Sequence, residues 1–91
     1  MVTRSLRFKG RAMEINFSTS AAGSVRVELQ DHNGVPIPGF ALSDSREMVG
    51  DEIQRVVSWK AGADVSRLTG QPVRIRFVLK DADVFSFRFR E

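Results

Sequence analysis

Apolar and polar residues alternate along much of this chain, and that period of two most constrains what the chain can fold into. Met13, Ile15 and Phe17 alternate with Glu14, Asn16 and Ser18; Val25, Val27 and Leu29 alternate with Arg26, Glu28 and Gln30. Near the end, Val73, Ile75, Phe77 and Leu79 alternate with Arg74, Arg76, Val78 and Lys80, and Phe85, Phe87 and Phe89 with Ser86, Arg88 and Arg90. Successive side chains of a strand point to opposite faces, so each run predicts a strand with one face on a core and one toward water. Leu6 with Phe8, Phe40 with Leu42, and the β-branched stretch from Ile53 to Trp59 predict further short strands.

Breakers separate these runs. They are Gly10-Arg11, Ala21-Ala22-Gly23, Asn33-Gly34, Pro36 to Gly39, Gly50-Asp51, Gly62, Gly70 to Pro72 and Asp81-Ala82-Asp83. Asn33-Gly34 predicts a type I′ hairpin, because both residues tolerate positive φ. Lys80 to Asp83 predicts a second hairpin joining the last two strands. Only Asp64 to Leu68 suggests helix, one turn with Asp64 as its N-cap. The expectation is an all-β chain: one domain over residues 1–91, an antiparallel β-sandwich of jelly-roll type with seven to eight strands. Its core is expected from the inward phases above, Phe85, Phe87 and Phe89 included, with Leu6, Phe8, Val57, Trp59 and Leu68. With 91 residues and no cysteine, apolar strand faces alone must hold the fold.

Reactive groups are sparse. The one histidine, His32, sits in Asp31-His32-Asn33-Gly34 at a predicted hairpin tip, and no Gly-x-Ser-x-Gly elbow is present. Glu14 and Glu28 lie on outward phases, where cross-strand partnership with Arg26, Arg74 and Arg76 is the simpler use of a carboxylate than glycoside cleavage. The expectation is therefore a protein that is not an enzyme and needs no cofactor. Asp31, Asn33, Asp81 and Asp83 are weak calcium candidates, since neither turn supplies the six to eight oxygens calcium takes.

Net charge is +3 and the pI about 10.2, a high value because one histidine, no tyrosine and no cysteine leave little to titrate above neutrality. Eleven of the 14 basic residues are arginine, and Arg74, Arg76, Arg88 and Arg90 share the outward phase of two predicted strands. That basic stripe is the candidate for nucleic acid, although the phenylalanines that would stack on bases lie on the opposite phase. For carbohydrate, which stacks on flat exposed rings, the candidates are Trp59 and Phe40. The amino terminus has no continuous apolar stretch of the secretory kind, and no run nears the roughly 20 apolar residues of a membrane span.

The glycine, proline and aromatic punctuation also forms a recognisable set: residues 19–28 (TSAAGSVRVE), Gly34-x-Pro36-Ile37-Pro38-Gly39-Phe40, Gly50-Asp51, Trp59-Lys60, Gly70-x-Pro72-Val73-Arg74, and residues 81–87 (DADVFSF). The set resembles the C-terminal β-sandwich accessory module of bacterial proteins similar to glycoside hydrolases of the five-bladed propeller (family 32-type) group. The resemblance runs from about Leu6 to Phe89 and rests on fold-shaping residues. It implies a structural or interaction role beside a propeller-type catalytic domain, or as a homo-oligomer, with glycans as a further possible contact. It carries over no catalytic residue, because catalysis in that group belongs to the propeller. Phe85 stands where the family commonly has tyrosine. Met1 directly before Val2-Thr3-Arg4 reads as an added start on an excised domain, which would leave an apolar patch exposed, with Val56, Val78 and Val84 expected there.

Overall fold

A computed structural model describes residues 2–90. The protein is all-β: a three-stranded antiparallel sheet in the order β2–β1–β3, with β1 spanning Ala12–Asp31, β2 Asp51–Val56 and β3 Val73–Arg90. Two short 3₁₀ turns, Leu42–Asp44 and Ser66–Leu68, complete the regular structure. The second lies where a single helical turn was expected, and the Asp64 carboxylate accepts a hydrogen bond from the Ser66 N–H at 2.8 Å.

Seven or eight strands resolve into three because neighbouring predicted strands are halves of one. β1 contains both the Met13–Phe17 and the Val25–Leu29 runs, and β3 both the Val73–Leu79 and the Phe85–Phe89 runs. The two strands pair along nearly their whole length, from Ala12 opposite Arg90 to Asp31 opposite Val73. A straight 20-residue strand would run about 66 Å, yet the longest dimension of the molecule is 36 Å. Both strands therefore turn a corner together. The register slips there: Thr19 faces Ala82 and Ser24 faces Lys80, so four residues of β1 lie against Asp81 alone. Asp81 takes φ 45°, and a Cβ on Gly23 would come within 2.5 Å of the Asp81 carbonyl oxygen. The expected hairpin at Lys80 to Asp83 is this corner; the chain keeps its partner through the bend and never reverses.

The Asn33-Gly34 turn is present in a different form. Gly34 alone takes positive φ (83°), and its N–H donates to the Asp31 carbonyl at 3.0 Å. Asp31 Oδ1 accepts from the N–H groups of Asn33 and Val35, so an aspartate holds this turn in place of a left-handed asparagine.

The inner face of both halves meets in one core. Met13, Ile15 and Phe17 pack with Val25, Val27, Leu29, Val73, Ile75 and Phe77, closed by Phe8, Val57, Trp59 and Leu68. Phe40, Met48 and Val65, which the sequence reading omitted, are buried there as well. Leu6 and Phe89 pack against the core only partly, and Leu79, Phe85 and Phe87 are exposed. For Phe85 the cause is a β-bulge. Asn16 faces Ser86 and Phe17 faces Val84, so Phe85 has no partner in the ladder and stands out of the sheet.

Candidate interaction surface

Three sheet edges are handled in three ways, and the differences locate the surface. Beside residues 24–31 of β1, the loops supply the missing strand piecemeal. Met48 exchanges backbone hydrogen bonds with Val25, Phe40 accepts from Leu29, and Ile37 donates back to it. Between these, the Val27 N–H donates to Ser45 Oγ at 3.1 Å and the Val27 carbonyl accepts from Trp59 Nε1 at 2.9 Å. The indole thus completes an edge while filling the core.

β2 is an edge made hostile to further pairing. Its register against β1 breaks between Ile15 and Phe17, with Gln54 at φ 61°. The Gln54 N–H is turned onto Asn16 Oδ1 at 2.8 Å, and Asn16 Nδ2 donates to Ser86 Oγ at 2.8 Å. Glu52 and Arg55 form an ion pair along the same strand at 2.5 Å. A bulge and charges are common protections of an edge strand.

β3 is covered only at its start, where Val2 bridges to Arg76 and Leu6 to Val73. Among the described residues, no bridge lies on the side away from β1 from Val78 to Arg90. Phe85 is 69% exposed and Phe87 37% exposed along this stretch. Beside it runs a groove of about 440 Å³ lined by Thr3, Phe77, Val84, Phe85, Ser86 and Phe87. The apolar surface expected at Val56, Val78 and Val84 is thus shifted: Val78 is half-buried, Val84 packs against the core, and Phe85 and Phe87 carry the exposure. The bulge that turns Phe85 outward has no signature in the alternation, which is why the sequence placed this ring inside.

On the outer face, the expected basic stripe is divided and occupied. The corner at Asp81 separates Arg74 and Arg76 from Arg88 and Arg90. Glu14 faces Arg88 directly and takes Arg88 Nε on one oxygen at 2.9 Å and Arg90 Nη1 on the other at 2.8 Å. The carboxylate is nearly inaccessible although it lies on the outer face, since the two half-exposed arginines lie over it. Hydrogen bonds from Arg90 and then Arg88 hold its pKa below the ordinary carboxylate value, and the same bond raises that of Arg90. In the other half Glu28 faces Arg76 at 3.7 Å, accepts from Gln30 Nε2 at 2.7 Å and from the Leu42 N–H at 2.9 Å. Arg74 donates to the His32 carbonyl, and Arg26 pairs with Glu47. The acid partners expected for the arginines are present, with Glu14 taking Arg88 and Arg90.

The remaining candidates are dispersed. Trp59 is fully buried, so its ring offers no platform to a sugar. Phe40 is 5% exposed, edge-on to Trp59 at 5.1 Å and covered on its other side by the Arg67 guanidinium at 4.8 Å. Both rings serve the core because each stands where a loop folds onto β1. Asp31 and Asn33 lie at one turn and Asp81 and Asp83 at the corner; His32 is exposed, and among the described residues no three His, Asp or Glu side chains gather as a metal would require. No family model, no curated protein and no solved structure matches the chain.

Proposed function

We propose that this chain is a non-catalytic accessory module with a structural or interaction role, docking through the open edge of β3. The observation that carries the reading is the pairing of unused strand edge with exposed rings: Phe85 and Phe87 stand beside an apolar groove, while the other two edges are completed or guarded. An extended edge with adjoining side-chain pockets is the geometry that recruits another strand. In its finer architecture the module is a β-sandwich of jelly-roll type. That is supported by the way both halves of the bent β1–β3 pair turn their inner faces to one core. The role agrees with the resemblance to C-terminal modules of glycoside-hydrolase-like bacterial proteins. Glycan contact would fall outside Trp59 and Phe40, and nucleic acid would have to compete with Glu14 and Glu28 for the arginines.

The test is a hydrophobic dye titration of the dilute protein, compared with Phe85→Ser. The docking reading expects dye fluorescence in the parent chain and a several-fold loss in the variant. A parent chain that leaves the dye dark, or a variant that binds it equally, overturns the reading.

A further inference from the structure

Resting on that docking edge, we infer that its occupant is a second copy of this chain, paired antiparallel through residues 84–90 of β3 about a two-fold axis at Phe87. The argument is the self-complementarity of one register. Centred on Phe87, the pairing sets Phe87 opposite Phe87, Phe85 opposite Phe89, Arg88 opposite Ser86, and Arg90 opposite Val84. Centred one residue later, Arg88 meets Arg88 directly, which like charge disfavours. Centred one residue earlier, Phe89 meets Asp83 and a carboxylate is set against the rings. Only the Phe87 register places ring on ring and every arginine opposite an uncharged residue. The arginines of that register are already bound to Glu14 of their own copy, so the outer face carries only one net charge per clamp into the pair.

The footprint sets the strength. From their exposures, Phe85 and Phe87 offer about 200 Å² of ring surface per copy. With the edge backbone and the groove this stays below the roughly 800 Å² per partner of a standard interface, so the dimer is weak and reversible. A C₂ arrangement closes on itself, consuming the edge so that no fibre grows from it.

Because the chain has no cysteine, single cysteines report the register cleanly. Light scattering is expected to show a mass rising from 10.2 kDa toward twice that value as concentration approaches about 0.5 mM. Phe87→Cys is expected to cross-link on mild oxidation, since facing residues across an antiparallel pair lie within disulfide reach. Ile53→Cys on the guarded β2 edge is expected not to. Phe85→Arg, at the most exposed ring of the edge, is expected to stay monomeric while keeping the parent's circular dichroism. A parent chain that is monomeric at 0.5 mM overturns the second copy; if it still binds the dye, the docking edge stands and its occupant is a partner of different sequence. A dimer that cross-links through Ile53→Cys and not through Phe87→Cys overturns the register and the edge together.

Discussion

Replacing Trp59 by phenylalanine separates the structural use of this ring from a ligand-binding one. Trp59 is fully buried, and its Nε1 is the hydrogen-bond partner the Val27 carbonyl has at the loop-covered side of β1. Phenylalanine keeps an aromatic body against Phe40 but removes the donor. An orphaned buried carbonyl costs about 1–3 kcal/mol, and the void left by the smaller ring adds about 1 kcal/mol. The expected loss is therefore about 2–4 kcal/mol out of the roughly 5–13 kcal/mol available to a 91-residue domain. At about 4–8 °C per kcal/mol for this size, that lowers the midpoint by about 10–25 °C. Urea and thermal unfolding followed by far-ultraviolet circular dichroism measure it without relying on the deleted fluorophore. The parent chain supplies a second readout: its tryptophan emission should be blue-shifted, resistant to acrylamide and unchanged by added sugars. A loss under about 0.5 kcal/mol, or an emission that sugars shift, refutes the placement of this ring.

Three further outcomes follow from the same geometry. Gly23→Ala puts a Cβ within 2.5 Å of the Asp81 carbonyl oxygen, so urea titration should show a loss of about 1–3 kcal/mol; an unchanged midpoint would mean the corner is looser than described. Gln54→Gly relieves a left-handed φ of 61° that costs other residues about 1–2 kcal/mol, less the added freedom of glycine when unfolded, so a gain of about 0.5 kcal/mol is expected by the same assay. The pKa values of Glu14 and Asp64 are lowered in the fold, the first by Arg90 and Arg88, the second by the Ser66 hydroxyl and N–H. Their stabilisation is fully present above the ordinary values of 4.5 and 3.8 and is lost as pH falls through the lowered ones. Urea midpoints measured across acid pH should fall in that window; midpoints that hold or rise would remove the Glu14 clamp from the account.

The alternation exposed the inner and outer phases of β1 and β3 almost residue by residue, because burial on one face imprints a period of two. It could not show that two runs share one strand. Ala21-Ala22-Gly23 and Asp81-Ala82-Asp83 have turn composition whether the chain reverses or bends with its partner, and only long-range pairing decides between them. Phe85 was misplaced for a related reason: one bulged residue shifts the phase without altering the composition around it. Trp59 and Phe40 were read as possible platforms because the loops that bury them are irregular and carry no period. Glu14 was placed on the correct face, yet its cover by Arg88 and Arg90 depends on pairing between residues 74 and 76 positions apart.

The joint corner of β1 and β3 has a kinetic consequence. The two strands are adjacent across the sheet but separated by the whole stretch between Asp31 and Val73, with no hairpin between them. The first rung of their ladder must therefore close a loop of some forty residues before any inter-strand bond rewards it. Such non-local pairing places folding in the millisecond-to-second range and not the microsecond one. Since each half of either strand needs the other strand's matching half, neither end of the chain holds a self-sufficient folding unit. A nascent chain cut anywhere before Val73 has no partner for β1, and its longest apolar strand waits unpaired until the last residues arrive.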